Sequence, residues 1–286
     1  MSEQAYLDLL KELVDESETG VLNNDRTGVG TYSLFYRTLR FNLQDGFPLL
    51  TTKRMGLKSI VGELLWFIEG DTNAHNLEEK YGSTIWREWA DKNGELGKVY
   101  GHMWRNFGEV PETIVNLDSH AEEDVWGGGQ DGFDQLSWLV NEIKTNPTSR
   151  RLYVTSANPN DRYEQALDCC HNYFQVVIKN GKLNLYFQMR STDVFLGLPY
   201  NLASYAALAH MLALECGYEV GELVYSGVDV HLYSNHVDQA KEQLTRKPYN
   251  FPKLVVNKKP FFKYTLDDFK VEEYIYHPTI KADVAV

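Results

Sequence analysis

Apolar side chains at Leu57, Ile60, Val61, Leu64, Leu65 and Ile68 recur every three or four positions and predict a helix with one packing stripe over residues 57–68. Glu63 falls off that stripe, so the packing face does not claim it and it is free to project into a pocket. Residues 201–216 carry Ala, Leu and Met on nearly every side, the pattern of a deeply buried helix. Two runs rich in strand formers, 173–179 and 182–189, are separated by Asn180-Gly181, a strong two-residue hairpin signal. With Lys179 facing Lys182, continuing the ladder brings Cys170 opposite Ser191 and His171 opposite Arg190, and a bulge would move that pairing by one. The open end of one hairpin thus gathers a thiol, an imidazole, a hydroxyl and a guanidinium.

A thiol reacts as its thiolate, and neighbouring positive charge favours that form. Cys170, beside His171 and across from Arg190, has such neighbours. It reads either as a nucleophile or as a buried structural cysteine. Cys169 points to the opposite strand face, so only one of the two sulfurs lines the pocket at the hairpin's open end. Other anion-binding candidates are single arginines. Arg26 sits in Asp25-Arg26-Thr27-Gly28-Val29-Gly30-Thr31, which lacks the Gly-Lys-Ser/Thr end of a phosphate loop. Arg150 and Arg151 precede an expected strand over 152–155, where a doubled arginine is also an ordinary solvated pair. His231 and Tyr233 lie two apart in another expected strand and share a face, which suits a sugar hydroxyl or a satisfied core pair equally.

Composition narrows the chemistry. The net charge of −12, from 28 basic and 40 acidic residues, argues against broad nucleic-acid binding, yet a small phosphorylated substrate needs only a local arginine cluster. Three cysteines, Cys169, Cys170 and Cys216, are too few and too irregular for a disulfide framework or a closed zinc site, so reduced thiols and no metal are expected. No apolar run is long enough to span a bilayer and Met1-Ser2-Glu3-Gln4 is no secretory signal, so the expected location is the cytoplasm, a host's if the source is viral. Between Glu109 and Asp134 stand eight acidic residues and no Lys or Arg, with Gly127-Gly128-Gly129 inside; this reads as a surface insertion in a single domain over 1–286.

Taken together these segments resemble the thymidylate synthase family over 24–106 and 147–286. The matching motifs begin with Asp25-Arg26-Thr27-Gly28, Phe47-Pro48-Leu49-Leu50-Thr51-Thr52-Lys53, Glu63-Leu64-Leu65-Trp66-Phe67 and Gly70-Asp71-Thr72-Asn73. They continue with Ile85-Trp86-Arg87-Glu88-Trp89, Val99-Tyr100-Gly101, Cys170-His171 and the unbroken run from Arg190-Ser191-Thr192-Asp193 to Leu198-Pro199-Tyr200-Asn201. His231-Leu232-Tyr233-Ser234-Asn235-His236 and Val284-Ala285-Val286 complete them.

The resemblance implies an α/β (α+β) fold: a large curved mixed sheet with helices on one face, and a homodimer packed sheet to sheet. It implies reductive methylation of dUMP to dTMP with 5,10-methylenetetrahydrofolate. Cys170, with His171 beside it, would attack the pyrimidine, and Glu63 and Tyr100 would manage proton transfers. Arg26, Arg190 and Ser191 would hold the phosphate, joined by Arg150 and Arg151 of the partner subunit. Asn201 would read the base, favouring dUMP over dCMP, while His231 and Tyr233 hold the deoxyribose. Trp86, Trp89, Asp193 and Val286 would face the folate.

The sequence departs from the family pattern at three places. Asp168-Cys169 stands where a proline precedes the nucleophile, Asn158 follows Ser156-Ala157 where a tryptophan is expected, and Asp283 replaces a proline. Asp168, if close, would raise the thiol pKa and oppose the arginines. These changes leave one alternative standing, a dUMP hydroxymethylase in which water instead of hydride captures the exocyclic methylene. An alternative of another class is a non-catalytic nucleotide-binding or regulatory homologue, with the acidic insertion as its partner surface.

Overall fold

A computed structural model describes residues 3–108 and 132–285. The expected insertion therefore lies almost wholly outside the described residues, as does Val286. The first helix, α1 (Gln4–Thr19), buries Tyr6, Leu10, Leu13 and Val14 on one side. It is followed by strand β1 (Thr31–Asn42) and helices α2 (Leu57–Glu69), α3 (Ala74–Tyr81), α4 (Tyr100–Arg105) and α5 (Gln135–Thr145). Strands β2 (Tyr153–Thr155), β3 (His171–Lys179) and β4 (Lys182–Asp193) lead into the long α6 (Gly197–Cys216), β5 (Glu219–Tyr233) and α7 (Val237–Leu244). A separate ribbon pairs β6 (Lys253–Val256) with β7 (Phe269–Glu272).

The five-stranded sheet runs β1-β5-β4-β3-β2 and is mixed: β4 and β5 are parallel, the other neighbours antiparallel. Parallel neighbours need a crossover, and α6 supplies it. Its buried residues face every direction, because it packs on β4 and β5 on one side and on α2 and α5 on the others. Leu183, Leu185, Phe187 and Met189 alternate along β4 towards this core. The opposite sheet face is aromatic and polar. Tyr173 stacks towards Tyr153 and meets Tyr186 edge-on, and the Tyr186 hydroxyl lies 2.7 Å from Ser226 Oγ.

The hairpin forms as its turn residues dictate, with Asn180 and Gly181 both at positive φ (52° and 74°) and Lys179 facing Lys182. The ladder keeps that register as far as Tyr173 and Gln188; a bulge then sets His171 opposite Met189. Arg190 consequently meets Cys170, its amide donating to the Cys170 carbonyl at 2.9 Å, instead of the Ser191–Cys170 pairing of an unbroken ladder. Helix α2 also differs from its expected single stripe. It is buried on nearly all sides over 60–68, and Glu63, 8% exposed, is enclosed with the rest.

A buried polar knot ties the N-terminus to the core. Both Glu3 oxygens are used: Thr51 donates through its amide (2.7 Å) and hydroxyl (2.6 Å), and Thr52 through its amide (3.1 Å) and hydroxyl. Gln243 of α7 then donates to the Thr52 hydroxyl at 2.8 Å. Removing the shared acceptor strands several buried donors, each worth about 1–3 kcal/mol. Glu3→Ala should therefore cost about 3 kcal/mol or more of unfolding free energy in urea denaturation, although Glu3 is distant in sequence from every candidate site residue.

Candidate active site

The ends of β4 and β5, the turn before β1 and the segment 165–170 enclose a cleft of about 620 Å³. Arg26, Cys170, Arg190, Ser191, His231 and Tyr233 all line it, together with Trp89, Asp193 and Ala285. Topology explains the gathering. Parallel pairing sets Ser191 beside Asp229 and Asp193 beside His231, and β1 brings Thr31 opposite Tyr233. The turn carrying Arg26 is held by Asp25, which accepts from the Gly30 amide (2.9 Å) and the Thr27 hydroxyl (2.7 Å).

Cys170 is fixed through its backbone. Its amide donates to the Tyr100 hydroxyl oxygen at 2.7 Å, leaving the phenolic proton to be donated elsewhere. Arg190 donates through Nη2 to the Asp168 carbonyl (2.8 Å) and through Nε to the Cys169 carbonyl (3.2 Å), and Nη2 lies 3.6 Å from the Cys170 sulfur. Burial pushes the Cys170 thiol up, Arg190 pulls it down, and Asp168 pushes it up again. Asp168 acts in the direction the sequence implies, and its carboxylate is in turn held by Arg162 (Nε to Oδ2, 2.9 Å).

The positive charge near the thiol comes from Arg190, not from His171. His171 is buried, stacked on the Tyr100 ring at 3.9 Å, and bonded through Nδ1 to the Tyr205 hydroxyl at 2.8 Å. Burial lowers its pKa to about 3, so the imidazole is neutral at any working pH. Cys169 turns the other way, although neither cysteine lies within β3. It lines a second cavity of about 190 Å³ with Ser156, Ala157, Asn158, Arg162 and Asp168, and burial raises its thiol far above the ordinary range.

Behind the cleft stands a wall of buried aromatic rings. Trp86 donates through Nε1 to Glu63 Oε1 at 2.8 Å, and meets Tyr100 and Trp89 edge-on. Burial raises the Glu63 pKa to about 7, against which the Trp86 bond works. Glu63, Trp86, Tyr100, His171 and the half-buried Asn201 are not among the cleft-lining residues. Arg150 and Arg151 are exposed just before β2 and outside the lining.

A model of the thymidylate synthase family matches residues 4–286. The chain belongs to the thymidylate synthase family. That is a family of methyltransferase-type enzymes using methylenetetrahydrofolate. In this thymidylate synthase family member the lining includes four carboxylates, those of Asp25, Asp168, Asp193 and Asp229, against the arginines Arg26 and Arg190. Each carboxylate is engaged: Asp25 by its turn, Asp168 by Arg162, and Asp193 by the amides of Phe195 (2.9 Å) and Leu196 (3.3 Å) ahead of α6. Asp229 lies 3.5 Å from Ser191 Oγ and 3.6 Å from His231 Nδ1, contacts that lower its pKa. Sequence reasoning missed Asp229, although its two-residue spacing from His231 was the available signal. It also missed Arg162, whose pairing needs the short 3-10 helix Pro159–Glu164 to turn it back. No helix among the described residues is long and apolar enough to cross a membrane.

Glu63 yields a stability prediction with a definite sign. Its folded pKa of about 7 exceeds the ordinary 4.5, so the folded protein holds the proton more tightly between those values. Stability is therefore fully present below about pH 4.5 and falls as pH rises through 7, by up to about 3 kcal/mol. Glu63→Gln, which keeps the acceptor for Trp86, should match the native protein near pH 4.5 and melt at higher temperature than it near pH 8.5.

Proposed function

We propose that the protein is a thymidylate synthase, converting dUMP to dTMP with 5,10-methylenetetrahydrofolate. The observation that carries this reading is the Cys170 thiol at the cleft, its amide fixed on Tyr100 and its sulfur 3.6 Å from Arg190. Cys170 attacks C6 of the uracil, and the electron pair moves to C5 and O4 as an enolate. Asn201 pairs with the base edge, an amide being able to donate to O4 and accept from N3–H. His231 and Tyr233 hold the deoxyribose. Burial pushes the Tyr233 pKa to about 12, so it stays a protonated donor.

Arg26, Arg190 and Ser191 take the phosphate. With the lining carboxylates numerous, two arginines are a thin complement for a dianion in a protein of net charge −12. Arg150 and Arg151 of the partner subunit supply the rest, which makes the active unit a homodimer. The aromatic-polar sheet face of Tyr153, Tyr173 and Tyr186, with Tyr153 41% exposed and clear of the α6 side, is the surface that packs against the second copy.

The folate supplies the one-carbon unit and, for the methyl product, the hydride. Its fit rests on Trp89, whose indole lines the cleft while its buried Nε1 has no protein partner, and on Asp193 across the same space. Trp86 backs this wall, and Ala285 lines the cleft from the C-terminal segment. Glu63, with a pKa of about 7, is matched to passing a proton near neutrality; its partner Trp86 packs edge-on against Tyr100, whose hydroxyl holds the nucleophile's own amide.

One observation favours a second reading. The cavity of about 190 Å³ beside Cys169, lined by Ala157 and Asn158 where the family carries a tryptophan and sharing Gln165, Asp168 and Arg190 with the cleft, has room for several waters next to the nucleophile segment. Water passing from there into the cleft and capturing the exocyclic methylene would give 5-hydroxymethyl-dUMP. The deciding experiment incubates the protein with dUMP and 5,10-methylenetetrahydrofolate and identifies both products by mass spectrometry. Methylated nucleotide with dihydrofolate is expected; hydroxymethylated nucleotide with tetrahydrofolate overturns the synthase reading in favour of the hydroxylating one. Cys170→Ser should abolish turnover and keep dUMP binding in calorimetry, whereas Cys169→Ser should retain turnover; the reverse pattern would move the nucleophile to Cys169.

A further inference from the structure

Asp168 stands two residues before Cys170, and a free carboxylate there would compete with the sulfur for the nearest cation. That cation is Arg190, whose Nη2 already binds the Asp168 carbonyl at 2.8 Å and lies 3.6 Å from the Cys170 sulfur. The Asp168 side chain turns away from it and closes on Arg162, Nε to Oδ2 at 2.9 Å. Arg162, Asp168 and Arg190 thus line one small cavity in the charge order plus, minus, plus, behind the segment that bears the thiol.

We infer that the Arg162–Asp168 ion pair is a positioning device: by holding the Asp168 carboxylate, Arg162 keeps it off Arg190 and leaves the Arg190 guanidinium to the Cys170 sulfur. Arg162 touches neither the sulfur nor the substrate cleft and acts only through Asp168.

The other titratable groups around Cys170 do not blur the effect. Tyr100 on α4, Tyr233 on β5 and Cys169 on the same segment all have pKa values raised by burial and stay neutral near pH 7. Arg26, Asp25, Asp193, Asp229 and His231 share the cleft with Cys170 and are the same in every variant, while the charges that act on the thiol pKa are Arg190, which pulls it down, and Asp168, which pushes it up. Arg162 is 65% exposed, so solvent screens its contribution and the expected effect is modest, about threefold in thiolate population.

The inference rests on the reading of Cys170 as the reacting thiol, but alkylation tests it without turnover, so the two can fail separately. The rate of Cys170 modification by iodoacetamide is followed from about pH 6 to 9 on the full-length protein, with peptide mass spectrometry separating Cys170 from Cys169 and Cys216. Near neutral pH, Arg162→Gln should slow the reaction about threefold and Asp168→Asn should speed it about threefold. The double variant should fall between them, and Arg162→Lys, which keeps the charge, should stay near the native rate. Both single variants break the same ion pair, so a purely structural role moves them in the same direction. That result, or unchanged rates in both, overturns the inference.

Discussion

The parallel pairing of β4 with β5 is the constraint on which the cleft depends. It places Arg190 and Ser191 at the end of one strand level with Asp229 and His231 at the end of the next. Because side chains alternate, a slip of one residue would send each of these groups to the opposite face. Two neighbours then inherit the register. β3 pairs with β4 and delivers Cys170, and β1 pairs with β5 and delivers the turn carrying Arg26. The crossover helix α6 holds the two central strands together and buries almost its whole surface in doing so.

Within that frame, the electrostatics of the site is a matter of which carboxylates are already committed. An acidic protein with an acidic cleft is a poor host for a phosphate unless its carboxylates are occupied. Here Asp25 organises a turn, Asp193 caps the approach to α6, Asp229 faces Ser191 and His231, and Asp168 is drawn to Arg162. Arg190 is left to tie two carbonyls of the nucleophile segment and to sit against the sulfur. The buried wall behind follows different physics. Glu63 and His171 are both shifted towards neutrality by burial, one gaining a proton and the other losing it.

Legibility in the sequence followed the range of the interaction. The hairpin and its turn were readable because Asn-Gly is a local conformational signal, and the burial of α6 because its apolar residues surround the axis. The bulge between His171 and Tyr173 was not readable, since it answers to the strands on either side and not to its own residues. The periodicity of α2 gave the helix correctly but not the fate of Glu63. A stripe reports one packing face, while Trp86 and Tyr100 close over another, both meeting the helix's own Phe67. The resemblance to the family carried Arg26, Arg190, Ser191, His231 and Tyr233 to one cleft. It could not supply the Arg162–Asp168 contact, because that belongs to the segment where this chain leaves the pattern.

The joining of β1 to β5 has a consequence for how the chain is made. Thr31 lies opposite Tyr233 and Asn42 opposite Glu222, so the sheet's first strand waits for a partner synthesised almost two hundred residues later. On a ribosome adding residues one by one, β1 and α1 emerge long before anything can complete their edge. The apolar α6 follows β4 into solution before β5 exists to cover it. Closure of such distant pairs is slow, and its half-built intermediates expose strand edges and apolar helix surface to other chains. The same register that assembles the cleft therefore leaves a strand edge and an apolar helix of the nascent chain uncovered until β5 has left the exit tunnel.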